Sequence, residues 1–150
     1  MISQTVMYAL RAVVFLAQQP DRPRTVEAIA HATKVPEGYL AKIMLGLAKA
    51  GIVTSQRGLR GGFMLQGDPH IVTMRDVVNA IDPIQRITSC PLGLQEHGQD
   101  LCPLHRCLDN AIAGVESLFR ATTIGSLAGP GCGLCGSAQV ATLGSSKKSA

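Results

Sequence analysis

The 150-residue chain has no tryptophan, two tyrosines and three phenylalanines, so its core has to be built from aliphatic side chains. Charged residues are sparse at 16%, and mean hydropathy is slightly positive at +0.21. Even so, no stretch approaches the roughly 18 consecutive apolar residues that a membrane-spanning helix needs. The first apolar run, MISQTVMYALRAVVFLAQQP, is interrupted by Arg11, lacks a basic leader and offers no small-residue cleavage site, which argues against a secretory signal. A cytoplasmic protein is therefore expected. In that compartment paired disulfides are disfavoured, and clustered cysteines point to metal or redox chemistry. The length suits one domain with a real core, or a small domain with an added arm. No nucleophile, base and orienting group stand together, so no enzymatic activity is expected.

The charge that is present is unevenly placed. Of the net +4, the stretch from Arg22 to Arg60 holds seven basic residues (Arg22, Arg24, Lys34, Lys42, Lys49, Arg57, Arg60) against two acids, Glu27 and Glu37. The remainder is close to neutral. A basic half beside a neutral half is the footprint expected of a nucleic-acid-binding surface.

Apolar periodicity predicts helices around that basic stretch. Met7, Leu10, Val14 and Ala17 recur at helical spacing, with Val6, Val13 and Leu16 widening the stripe, so a first helix is expected over about residues 4 to 18, stopped by Pro20. Thr25 is placed to cap a short second helix through about Ala32. A third follows in KVPEGYLAKIMLGLAKAGIV, with Pro36 at its start, Gly51 after its end, and Leu40, Ile43, Met44 and Leu47 on its buried face. Two helices joined by a short turn, the second polar at its start, suit a helix-turn-helix. Ile52 to Ser55 then alternates like a strand, RGLRGG is a glycine-rich turn, and Phe63 to Leu65 can return as a second strand. Such a hairpin is the wing of a winged helix. Its tip would offer Arg57 and Arg60 to phosphates or a minor groove, with the glycines allowing the backbone close to DNA.

YALRAVVFLA, VPEGYLAKIMLGLAKAGIV, RGLRGGFML and TMRDVVNAID, taken in order, resemble the Rrf2 family of bacterial transcription regulators, over about residues 1 to 128. The most specific parts are the Tyr39-Leu40 pair and the wing glycines Gly58, Gly61 and Gly62 ahead of Phe63. The resemblance implies a homodimer that binds a double-stranded DNA operator, as a repressor, through a winged helix-turn-helix, with a long helix crossing to the partner. The fold class expected is mainly α with a small β-hairpin wing. The chain divides accordingly into a DNA-binding domain (1–82), a cysteine-containing sensor loop (83–102), a dimerisation helix (103–128) and a disordered Gly/Ser-rich tail (129–150).

The second half supports this division through its own periodicity. Thr73 and Asp76 approximate a capping box ahead of Val77, Val78 and Ile81. From Pro103 to about Ala121, Leu104, Leu108, Ala111, Ile112, Val115, Leu118 and Phe119 carry more apolar surface than a small winged domain can cover. Packing against a second copy would bury it and set two recognition helices at half-site spacing. By position in the matching motif, Pro36, Gly38 and Tyr39 would meet base edges and phosphates, Lys42 a phosphate, Arg57 a base, and Arg60 stands second to it.

CPLGLQEHGQDLCPLHRC lies between these two regions. A connection of this length without regular structure is a place to look for function. Cys90 is early in it, Cys102 immediately precedes the long helix and Cys107 falls in its second turn. A thiolate at a helix N-terminus is favoured by the exposed amides, which suits Cys102 to metal ligation. The three cysteines could hold iron-sulfur or zinc. The resemblance implies a [2Fe–2S] or [4Fe–4S] cluster on three loop cysteines, responsive to oxygen, nitric oxide, peroxide or iron shortage. The spacing Cys90-x11-Cys102-x4-Cys107 departs from the shorter, more even family spacing, and Met7 stands where several members carry an acidic ligand in the first helix. The fourth ligand is open among His97, His105 and a residue of the partner. Cys102-x2-His105 is itself metal-ligand spacing, and Cys90, His97, Cys102 and His105 would make a Cys2His2 zinc site or a histidine-containing [2Fe–2S] centre. In the tail, Cys132-Gly-Leu-Cys135 has the CxxC form of a redox or metal clip. Two other functions follow from the same residues: a cofactor-free or zinc-containing thiol sensor, and a thiol redox or metal-transfer adaptor centred on CGLC. The adaptor lacks the βαβ setting usual for such chemistry.

Overall fold

A computed structural model of the chain describes residues 2–90 and 101–129. Eight elements follow in order: α1 (Gln4–Ala17), α2 (Val26–Thr33), α3 (Glu37–Lys49), β1 (Val53–Gln56), β2 (Gly62–Leu65), α4 (Met74–Ile81), α5 (Pro103–Ala121) and α6 (Ile124–Leu127). The fold is mainly helical with one two-stranded antiparallel hairpin.

Helix α1 is the wall on which the others pack. Ser3 caps it by accepting from the Val6 amide at 3.3 Å. Its fully buried face is Val6, Ala9, Ala12, Val13, Val14 and Leu16. That is one position round from the face suggested by periodicity, and Met7 is left 46% exposed. The shift has a packing reason: α2, α3, α4 and α6 all contact α1, and the alanines at 9 and 12 admit neighbouring helices closely where Met7 would hold them off.

Helices α2 and α3 meet at a turn whose geometry depends on Lys34. This residue takes a left-handed conformation (φ 57°, ψ 40°) while its amide bonds Ala30. Val35 is then driven into the core at 4% exposure, and α3 starts at a new angle. Leu40, Ile43, Met44 and Leu47 fill the core with Ile29, leaving the opposite face of α3 in solvent.

The hairpin register runs from Val53↔Leu65 to Gln56↔Gly62. Arg24 adds a single antiparallel bridge to Phe63, with amide–carbonyl bonds of 2.9 and 2.8 Å. Gly62 (φ +150°) is required by that bridge, because a Cβ there would stand 2.4 Å from the Arg24 carbonyl oxygen. At Gly61 a Cβ would stand 2.4 Å from the Gln56 carbonyl oxygen. These two glycines therefore serve the hairpin itself, a reason that does not involve DNA.

The long helix returns to the first domain at its far end. Phe119 is buried against Val6 and Val78. Thr73 and Thr123 bridge, with bonds from the Met74 amide to Thr122 and from the Ile124 amide to Val72. Periodicity gave a helix from Pro103 to about Ala121, as observed for α5, and only the division of the chain carried it on to residue 128; the structure breaks the chain at the extended Thr122 and begins the short α6, whose Ile124 is fully buried in the core with Ala9, Leu47 and Val77. Thr73 and Asp76 complete the capping box at the base of α4. Since Ile124 belongs to the core of the helix-turn-helix unit, Ile124→Ala should lower its unfolding free energy by about 2–5 kcal/mol. Urea denaturation followed by far-UV circular dichroism should show one earlier transition, with no separate unfolding of α5.

Candidate functional site

Two surfaces carry chemistry. The first is the exposed face of α3 with the wing beside it. Pro36 is the N-cap of α3 without any side-chain hydrogen bond, and its carbonyl accepts from the Tyr39 and Leu40 amides at 3.1 and 3.0 Å. Pro36, Glu37, Gly38 and Tyr39 are all exposed, Tyr39 at 62%, and Lys42 follows on the same outer side. A Cβ on Gly38 would meet nothing within 4 Å, so the fold does not explain its glycine. At the wing tip the Gly61 amide bonds the Gly58 carbonyl at 2.9 Å, and Gly58 takes φ +113°. Arg57, Leu59 and Arg60 project from this tight loop into solvent. Leu59 was not singled out by sequence reasoning. The signal for it was an apolar residue at the tip of a hairpin too short to give it a core.

The second surface is at the free end of α5. Cys102 is its N-cap and Pro103 its first residue, as suits a position that donates no amide bond. His105 lies one turn on, and its Nδ1 is 3.1 Å from Cys102 Sγ and 3.8 Å from Cys90 Sγ. The three donor atoms all lie within 4.8 Å of one another, and all three residues are half-buried. Donors around a tetrahedral zinc, with bonds of about 2.3 Å to sulfur and 2.0 Å to nitrogen, stand roughly 3.5–3.8 Å apart. The observed separations bracket that value, so two thiols and an imidazole could hold one metal ion.

Cys107 is outside this group. It is exposed, in a shallow hollow with Leu101, Pro103, Arg106 and Asn110. At about 100° per residue it sits roughly 200° round the helix from His105, which sends its side chain to the opposite side. His97, Cys132 and Cys135 lie outside the described residues.

Beside the triad an ionic ladder ties the post-α4 segment to α5. Arg86 forks onto Asp109 through Nε (2.7 Å) and Nη2 (2.6 Å), and the Ile87 amide donates to the same carboxylate at 3.0 Å. Glu116, two turns further, accepts from Arg75 of α4 at 2.9–3.0 Å and stands 3.8 Å from Arg86. Hydrogen bonding from Arg86 is the main reason that the Asp109 carboxyl is held below its ordinary value, with the Ile87 amide adding to it. Arg86 is raised in turn, chiefly by the Asp109 hydrogen bond.

Comparison with known proteins identifies the family. The family model Rrf2, described as an iron-dependent transcriptional regulator, matches residues 2–130. The chain belongs to the Rrf2 family. A protein of Aquifex aeolicus predicted to be a helix-turn-helix-type transcriptional regulator is 35% identical over 128 residues, covering 83% of this chain and 89% of that one. An Rrf2-like regulator predicted in Rhodobacter capsulatus is 34% identical over 124 residues, 79% of each chain. Among solved structures, CymR (YrzC), the global cysteine regulator of B. subtilis, superposes with a TM-score of 0.73 at 27% identity, over 85% of this chain and 95% of that one. T. potens IscR gives 0.70 at 22% identity over 85% of both, a likeness that speaks for the fold alone. This Rrf2 chain is thus a transcriptional regulator with a winged helix-turn-helix, and no helix among its described residues is long and apolar enough to cross a membrane.

The ladder has a pH signature. Because folding lowers the Asp109 pKa, its contribution to stability is complete above the ordinary carboxylate value of 3.8 and is lost as pH falls through the lower folded value. Carboxyl-carbon NMR should find Asp109 titrating below 3.8 in the folded chain, and Arg86→Ala should bring it back towards that value.

Proposed function

We propose that this Rrf2 regulator is a cytoplasmic, homodimeric repressor whose hold on its operator is set by an iron-sulfur cluster at Cys90, Cys102 and His105, reporting redox, nitric oxide or iron status. The observation that supports this most directly is the convergence of two thiols and an imidazole within 4.8 Å at the free end of α5, in a family described as iron-dependent. Thiolate and imidazole together suit a histidine-containing cluster. A fourth donor would come from His97 or from the partner subunit. When bound, the cluster supplies a centre whose charge and ligands change with oxidant or nitric oxide. The chain's own residues do the rest: Cys90 ties the post-α4 segment to the helix start, while Cys102 and His105 report through α5. In this proposal Cys107 is not a ligand. The donor spacing also fits tetrahedral zinc, which makes a zinc-containing thiol sensor the second reading.

The dimer is supported by what α5 leaves uncovered. Leu104, Leu108 and Leu118 of α5 are 64%, 47% and 63% exposed, with Met7 of α1 exposed as well. Pairing two copies along this face would bury those side chains and fix the distance between the two α3 helices. On DNA, Pro36, Gly38 and Tyr39 would meet the groove, Lys42 a phosphate, and Arg57, with Arg60 second, a base edge or a narrow minor groove.

Anaerobically purified protein should be coloured, contain iron and sulfide, and bleach on Cys90→Ser, Cys102→Ser or His105→Ala but not on Cys132→Ser/Cys135→Ser. A colourless protein with one zinc per chain would select the second reading, and one with no metal would overturn both. For the DNA face, Arg57→Ala should weaken operator binding by about 1–3 kcal/mol in fluorescence anisotropy. Gly38→Ala should weaken binding too, while leaving the melting midpoint equal or higher, since alanine is favoured over glycine within a helix. Unaltered affinity in both variants would remove α3 and the wing from the interface.

A further inference from the structure

Cys102, His105, Asp109, Ile112, Glu116 and Phe119 alternate at spacings of three and four along α5, so they share one face of the helix. The Phe119 end of that face is buried in the domain. The Cys102 end reaches beyond it, and Cys90 has to be brought there by a segment with no regular structure of its own, residues 83–90. Left free, such a segment would meet Cys102 only at the local concentration that a flexible tether allows. It is not left free. Asp109 receives three hydrogen bonds from two consecutive residues of the segment, Arg86 and Ile87, three residues before Cys90.

We propose that Asp109 is a positioning residue for the Cys90 thiol: by clipping Arg86 and the Ile87 amide to α5 it sets Cys90 against Cys102 and His105. The proposal rests on taking those three residues as one ligand set. A planar guanidinium that forks onto a carboxylate fixes direction as well as distance, and the backbone amide on the same carboxylate fixes the chain rather than a side chain alone. The Arg86 side chain is 42% exposed, and ion pairs so open to solvent add little to stability. Placement is therefore what the clip contributes. Asp109 is one turn beyond His105, which makes it the anchor on this face nearest to the donors. Glu116, holding Arg75 and approaching Arg86, braces the same segment against α4.

The decisive measurement needs no metal. Full-length protein carrying Cys107→Ser, Cys132→Ser and Cys135→Ser retains Cys90, Cys102 and His105 and can be equilibrated, metal-free, with reduced and oxidised glutathione. Each Cys90–Cys102 disulfide that forms reduces one glutathione disulfide to two thiols, and mass spectrometry gives the effective concentration of one cysteine for the other. Asp109→Ala should lower that concentration about tenfold. Asp109→Asn, which keeps an acceptor for the Ile87 amide but loses the charge, should fall between, and melting midpoints should stay near that of the parent. Equal effective concentrations in parent and Asp109→Ala overturn the proposal. In parallel, Co2+ titration followed by its thiolate absorption should show Asp109→Ala binding about 10- to 100-fold more weakly. A parent that takes up no Co2+ would count against the metal reading alone, because the glutathione equilibrium decides the positioning claim either way.

Discussion

Everything in this structure depends on the close approach of helices to α1. Ala9 and Ala12 bring neighbours in, and Val13, Val14 and Leu16 seal the space between them. With so few aromatic side chains, aliphatic interdigitation around one central helix is the available way to make a core. The consequence is that α2, α3, α4 and α6 are all placed by the same surface. The recognition helix and the helix that leads to the cysteines thus share a foundation, and α4 contacts α3, α1 and α5 at once.

From that foundation α5 leaves with two distinct faces. One carries ligand-type residues and acids, and turns towards the segment that follows α4. The other, with Leu104, Leu108 and Leu118, turns to solvent. The two functions expected of the helix, holding a reactive centre and holding a second subunit, are separated by rotation about a single axis. Cys107 falls on the far side from His105 for the same geometric reason.

Much of the winged domain was legible in the sequence. Periodicity placed the buried stripe of α3 residue for residue, Thr25 and Thr73 announced their caps, and RGLRGG announced the tight hairpin. The face of α1 was displaced by one position, because a stripe of apolar residues on nearly every side gives no signal as to which side has the most neighbours. The Arg24 bridge and the Thr73–Thr123 pairing were not legible: each depends on a partner distant in sequence. At the site, Cys102-x2-His105 was readable as helical spacing. The role of the Arg86–Asp109 pair was hidden, since 23 residues separate its members and only the return of the chain along α5 brings them together.

The antiparallel bridge of Thr73 with Thr123 closes the chain between them into a handle with both feet planted in the same core. A handle of this kind tolerates change at its grip. The number of residues between Cys90 and Cys102 does not enter the pairing of Thr73 with Thr123. The long interval between the first two cysteines is, on this view, a variation that the architecture permits at little cost.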